Sequence, residues 1–255
     1  MQASFAVHAA AAAGIVAAPS LWPWALGGVL ADHLALTAAG LWPRSTLLGA
    51  NWVRLPPAAH ARREFAITID DGPDPEVTPR VLDVLDREGA RATFFCIGTR
   101  VAARPALARE IARRGHAIEN HSQTHSHRFS LLGPRAMAAE VAAAQHSIAA
   151  AIGEPPRFFR APAGLRNPFL DPVLCRLSLT LASWTRRGFD TVSGDAALVR
   201  RRLLGGLGAG DILLVHDGHA ARGPAGQPVI LEVLPAIIAA ARAAGLAPVT
   251  LRATL

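Results

Sequence analysis

Lysine and tyrosine are both missing from this 255-residue sequence, and cysteine is limited to two residues. Those two, Cys96 and Cys175, exclude a disulfide-stapled scaffold and any zinc module built on several thiolates. Both lie in apolar stretches, which predicts buried free thiols. Polar low-complexity tracts are missing as well: with 51% hydrophobic and 18% charged residues, the chain is too apolar to stay unfolded. A basic stripe is also lacking. All 26 basic residues are arginine, against 19 acidic residues, and the net charge of +7 is interspersed along the chain. The longest basic run, Arg200-Arg201-Arg202, is too short for a nucleic-acid footprint, so no nucleic-acid partner is expected. Absent lysine beside abundant alanine points to coding bias more than to a selected cationic face. A solvated basic surface of this kind suits anionic membranes or polymers.

What the chain has in excess is apolar sequence at its N-terminus. Residues 3–18 form a run broken by Ser4 and His8 and ended by Pro19. A second run, 21–42, has Asp32, His33 and Thr37 as polar breaks and Trp22, Trp24 and Trp42 at its ends. As helices they would reach roughly 24 and 33 Å, against a hydrocarbon core of ~30 Å. Terminal tryptophans fit a membrane interface. Asp32 costs about 3 kcal/mol inside a span, which the surrounding apolar residues offset. A secretory signal peptide is the rival reading, but the first five residues carry no Lys or Arg. The bland alternative is a pair of alanine-rich helices packed on the domain. Residues 1–50 are expected to be a membrane-associated helical segment, hairpin or single anchor, in a bacterial-type inner membrane. Arg44, Arg54, Arg62 and Arg63 follow it, and the positive-inside rule then points to a cytoplasmic domain, with the side left open.

Residues 51–63, with Pro56 and Pro57, read as a linker, and 64–255 as one catalytic domain of α/β-barrel size. Strands are expected at 65–70, 92–97, 116–119, 157–160, 179–184, 211–216 and 247–251. Amphipathic helices are expected at 77–88, 105–114, 134–152, 196–207 and 229–244. Seven strands alternating with helices predict a parallel sheet with crossovers, doubly wound or closed as a barrel. Chemistry in such folds collects at the carboxyl ends of the strands.

The polar residues gather there. The first strand ends abruptly in Asp70-Asp71-Gly72-Pro73. Two adjacent carboxylates raise one another's pKa unless a cation neutralises them; taken alone, the pair is more often a turn or helix cap. The third strand runs into His121-Ser122-Gln123-Thr124-His125-Ser126-His127. On a helical turn His121 and His125 would share one face, and an i,i+4 histidine pair with a carboxylate from another strand end makes a divalent-metal site. His127 is the spare, near the site or on the surface. Arg160 follows Phe158-Phe159 and precedes a Pro/Gly turn that could expose backbone N–H groups. His216 ends the apolar run 212–215, where a lone histidine is usually a satisfied core residue; here it should face the same mouth.

The ordered set resembles the polysaccharide deacetylase family, the NodB-homology domain of carbohydrate esterase family 4, over residues 65–251. Thr68-Ile69-Asp70-Asp71-Gly72-Pro73 is similar to the motif T-F-D-D-G-P, and Ala92-Thr93-Phe94-Phe95 to A-T-F-F. The segment 121–125 fits H-[ST]-x-x-H, 160–164 fits R-x-P-x-G, and 214–216 fits L-x-H. The resemblance implies a distorted (β/α) barrel of about seven parallel strands preceded by the apolar N-terminal segment. It implies one divalent metal, zinc first and cobalt, manganese or nickel as alternatives, on Asp71, His121 and His125. Asp70 would be the general base, His216 the general acid, and Arg160 would orient Asp70. The N–H of Ala163 would take the oxyanion, and Pro162, Ala163, Trp184 and Leu214 would line the sugar site.

Two departures stand out. Ala163 replaces the family's usual tyrosine, and Trp184-Thr185-Arg186-Arg187-Gly188-Phe189-Asp190 stands where D-x-x-D-W is common. Asp190 is the candidate carboxylate for the catalytic histidine; the competing reading leaves it on a surface loop and Trp184 in the core. The expected function is metal-dependent removal of N-acetyl groups from amino sugars of peptidoglycan or chitooligosaccharide type. The alternatives are a deacylase or deformylase of a lipid-linked amino sugar at the membrane, or a silent carbohydrate-binding relative. Silent relatives typically lose the first Asp, a metal His or the late His, whereas Asp70, Asp71, His121, His125 and His216 are all retained here. No protein partner is indicated.

Overall fold

The computed structural model describes residues 2–255. An N-terminal hairpin of α1 (Gln2–Ala17) and α2 (Trp22–Leu41) precedes the short α3 (Pro57–Ala61). The domain then runs β1 (Glu64–Asp70), α4 (Val77–Arg87), β2 (Thr93–Cys96), α5 (Gly98–Ala103), α6 (Pro105–Arg113) and β3 (Ala117–Asn120). It continues through α7 (Pro134–Ile152), β4 (Phe158–Phe159), α8 (Leu170–Arg176), β5 (Thr180–Leu181) and β6 (Arg186–Arg187). It ends with α9 (Ala196–Leu204), β7 (Ile212–His216), α10 (Ile230–Ala243) and β8 (Ala247–Val249).

The strand order is β5-β4-β3-β2-β1-β7-β6, with β8 joined to the start of β1, and every strand pairing is parallel. β5 and β6 sit at opposite edges, yet only residues 182–185 separate them in the chain. From Leu181 to Arg186 an extended chain reaches no more than about 18 Å. The sheet therefore has to curl until its edges approach each other, which is the distorted barrel that the family resemblance implies and which decides against the doubly wound alternative.

Strand alternation then sorts the side chains. Phe65, Ile67 and Ile69 of β1 turn outward and pack with Leu213 and Val215 of β7 beneath Leu82, Leu85, Leu234 and Ile237 of the helices. Each such fully buried side chain contributes about 1.5–3 kcal/mol of burial free energy. The intervening residues Ala66, Thr68 and Asp70 turn into the barrel, level with Ile212, Leu214 and His216 of β7. One strand thus supplies both the core and the chemistry.

Several expectations change. The linker region packs on the domain: Trp52 pairs beside Ala182, Arg54 holds the buried Asp211 at 2.8 Å, and Leu55 and Ala59 are buried. β6, α3, α5 and α8 were not foreseen, being too short or too polar to show a period, and the runs at 157–160 and 179–184 contract to two-residue strands. Cys96 is buried, but Cys175 is exposed, on the outward side of α8.

The hairpin explains its own polar breaks. Ser4 Oγ donates to Asp32 Oδ2 at 2.6 Å, and the Nε2 atoms of His8 and His33 lie 3.2 Å apart. Ser4 and His8 of one helix face Asp32 and His33 of the other, while Val16 (84% exposed) and Trp24 (81%) stay uncovered. The helical stretch Pro19–Leu41 is long and apolar enough to cross a membrane. A cavity of about 640 Å3 with largely apolar walls lies between the hairpin and the 165–169 loop, away from the residues that carry chemistry.

Candidate active site

A second cavity, of about 280 Å3, opens at the carboxyl ends of the strands. Asp70, Asp71, His121, His125, His127, Ala163, Trp184, Leu214, His216 and His219 are on its wall. Of the residues anticipated for the sugar site, Pro162 is the exception: it is buried behind the wall, because the turn at 162–164 sends Ala163 outward with φ 54°. The Ala163 N–H has no backbone acceptor among the described residues.

Asp71 sits just past β1 with φ 74°, a left-handed turn that an aspartate tolerates. Its Oδ1 is 3.3 Å from His121 Nε2 and 3.2 Å from His125 Nε2. The histidine pair is not on a helix as anticipated. Residues 121–127 form a loop, with Ser122 and His125 both at positive φ, and the two rings lie 4.7 Å apart between centroids. Asn120 Oδ1 accepts from the Ser122 N–H, Ser122 Oγ accepts from the His125 N–H, and Glu140 of α7 accepts from Thr124. Hydrogen bonds from neighbouring elements hold the spacing that a helix was expected to supply.

The donor set fits a divalent cation. His121 Nδ1 lies 2.8 Å from the carbonyl of Arg160, which only accepts, so that nitrogen carries the proton and Nε2 is the atom turned toward Asp71. Asp71 Oδ1 is buried and has no hydrogen-bond donor among the described residues. Lone pairs aimed at one another at this distance are reconciled by a cation between them. Burial works to raise the Asp71 pKa, but the neighbouring imidazoles, among them His219 donating to Oδ2, outweigh it and hold the carboxyl well below the usual range. Burial, with repulsion from His121, pushes the His125 pKa down to about 4, leaving a neutral ring ready to ligate.

His219 was missed by sequence reasoning, although it stands only three residues beyond His216 in the same polar turn. Its Nδ1 donates to Asp71 Oδ2 at 2.9 Å, while its Nε2 accepts from Arg100 at 3.3 Å. Arg100 also donates to the carbonyl of Asp71 at 2.9 Å, so the turn after β7 is locked against the turn after β1.

Arg160 lies wholly inside the barrel, 1% exposed. It donates to Asp70 Oδ1 at 2.6 Å, to Thr68 Oγ1 at 2.7 Å, and to the carbonyls of Ala182 and Ser183 at 3.1 and 2.7 Å. Asp70 Oδ2 is left facing the cavity, 3.7 Å from His121 Nε2. Across the cavity His216 Nδ1 donates to Asp190 Oδ1 at 2.9 Å, and the His216 backbone N–H donates to Asp190 Oδ2 at 2.7 Å. Asp190 is fully buried, not a surface loop residue. Burial of the His216 ring works to lower its pKa, but Asp190, Asp70 and Asp71 together raise it.

The chain is similar to known proteins. A family model described as Polysaccharide deacetylase matches residues 58–181. The chain is 35% identical over 158 residues to a chitooligosaccharide deacetylase of Bradyrhizobium sp., covering 62% of this chain and 72% of that protein. It is 34% identical over 156 residues to a peptidoglycan-N-acetylglucosamine deacetylase of Bacillus cereus, covering 60% and 72%. Among solved structures, a family 4 carbohydrate esterase from Streptomyces lividans, in complex with acetate, superposes with a TM-score of 0.66 at 31% identity over 72% of this chain and 91% of that one. With the barrel, the Asp-His-His cluster and these relatives in agreement, the chain belongs to the polysaccharide deacetylase family.

Proposed function

We propose that this cavity hydrolyses the acetamide of an N-acetylated amino sugar in a glycan of peptidoglycan or chitooligosaccharide type. Asp71, His121 and His125 would hold one divalent ion, zinc first among those that carboxylate and imidazole accept. When bound, the ion supplies Lewis acidity toward water and the acetyl carbonyl. The chain's own residues do the rest. Asp70 Oδ2 takes a proton from the attacking water, because Arg160 occupies Oδ1 and holds the carboxylate in one orientation. The carbonyl oxygen, as it gains charge, is received by the Ala163 N–H. His216 directs its Nδ1–H at Asp190, so the proton for the departing amine leaves from Nε2. The C–N bond breaks, releasing acetate and a free amino sugar.

The observation that carries this reading is the split of two carboxylates at one strand end: Asp71 turned to the histidines, Asp70 to Arg160 and the cavity. The hairpin serves as a membrane anchor in a bacterial-type inner membrane, supported by its uncovered apolar side chains and by the length of Pro19–Leu41. The test is acetate release from N-acetylglucosamine oligomers by the zinc-supplied full chain, with a chelated sample and a His125→Ala variant beside it. Release that depends on metal and on His125 supports the assignment. No release from folded, metal-loaded protein would overturn the oligosaccharide substrate.

A further inference from the structure

Arg187 stands on the wall of the catalytic cavity, and nothing in the deacetylase chemistry above uses it. It pairs with Leu214 in the β6–β7 register, while Leu214 and His216 share a face of β7, so Arg187 is on the same inward face. It lies roughly 7 Å along the strands and ~5 Å across from His216, within reach of a substituent on the same sugar. Its guanidinium is flanked by two aromatic rings, 5.6 Å from the Trp184 centroid and 4.7 Å from that of Phe189. Stacking of this kind holds the head in place without using its N–H groups.

Those N–H groups are unspent. Among the described residues Arg187 makes no ion pair, and its Nε is buried with no hydrogen-bond acceptor. Its neighbour Arg186 shows the contrast, bonded to Asp211 at 2.7 Å and to the carbonyls of Gly205 and Gly206. The two cavity carboxylates are committed elsewhere, Asp70 to Arg160 and Asp71 to the histidines. A partly buried cation with no counter-charge is unfavourable unless a ligand supplies one. Two of the other lining residues, Ala163 and Thr191, have small side chains.

We infer that Arg187 is an anion-binding subsite: the amino sugar whose acetyl group is removed carries a carboxylate or a phosphate on its ring, held by the Arg187 fork. The inference rests on the deacetylase reading for its placement but can be tested apart from it. The full chain, zinc-loaded, is compared with Arg187→Gln and Arg187→Lys. Three probes separate the sources of charge: neutral N-acetylglucosamine oligomer, N-acetylmuramic acid for a carboxylate, and N-acetylglucosamine 6-phosphate for a phosphate. Calorimetry measures binding and acetate release measures turnover. At least one anionic probe should bind about 10-fold or more tighter than the neutral one, a typical gain from a charge-assisted bidentate pair. Arg187→Gln should erase that margin while changing the neutral probe less than about 3-fold, with Arg187→Lys falling between. Equal binding of all three probes by the unmodified chain, or an equal loss on all three in Arg187→Gln, overturns the inference. Arg187-dependent binding without acetate release from any probe upholds the subsite and rejects the deacetylase reading. Turnover of the neutral oligomer with no Arg187-dependent preference does the reverse.

Discussion

The Arg160 guanidinium donates to Asp70 Oδ1 at 2.6 Å and, with its other nitrogens, to the carbonyls of Ala182 and Ser183 in the segment that joins the two edges of the sheet. One side chain therefore orients the carboxylate proposed as the general base and closes the barrel. Burial lowers the Arg160 pKa and Asp70 opposes that shift, so each charge justifies the other. Phe95, 4.1 Å from the guanidinium carbon, covers it from one side.

Replacing Arg160 with methionine should destabilise the domain by about 3–5 kcal/mol, the usual cost of breaking a buried pair and leaving one charge behind. Arg160→Lys keeps the charge but cannot reach Asp70 and both carbonyls at once. It should fold less stably than the native chain and lose most of its turnover. Urea denaturation measured beside acetate release checks both statements.

Asp190→Asn should move the alkaline limb of the pH–rate profile to lower pH. As the proposed general acid His216 has to be protonated, and its pKa is raised because Asp190, with Asp70 and Asp71, outweighs the effect of burial. Without the carboxylate, burial acts with less opposition, the pKa falls, and the protonated fraction is lost earlier as pH rises. A profile of kcat/KM against pH for both proteins is the measurement. An unmoved limb would assign it to another group.

His219→Ala should weaken zinc binding by about 10–100-fold, the common effect of removing a partner that orients a metal ligand. His219→Asn, which keeps a donor for Asp71 Oδ2, should recover part of it. Competition with a chromophoric chelator reads the affinity directly, without turnover. If the alanine variant binds zinc as tightly as the native chain, the Asp71–His219 hydrogen bond has no role in holding the ligand.

The full chain should resist alkaline carbonate extraction from bacterial membranes, and a chain beginning at Pro43 should not. The uncovered side chains of Trp24, Leu30 and Leu34 favour lipid over water, while Asp32 finds its partner in Ser4 and needs none from solvent. Release of the full chain by carbonate would reduce the hairpin to a surface-exposed pair of helices.

Much of this protein was legible without coordinates, because its main features are written locally. The strand β1 follows from a continuous apolar run, the signature of a strand buried on both faces. Asp70 and Asp71, Arg160 and His216 each stand where an apolar run stops, and a parallel sheet aligns such stops at one mouth. Closure of the barrel decided the rest. The Asp190–His216 pair, the Arg160 bonds to Ala182 and Ser183, and the Asp71–His219 contact join residues 22 to 148 positions apart. The His121–His125 spacing was read correctly as a pair but wrongly as a helix, since the loop that forms it depends on Glu140 of α7. Arg187 and Asp32 show the same division: a charge in an apolar neighbourhood is visible in a sequence, but whether it has a partner is settled only when the chain folds back on itself.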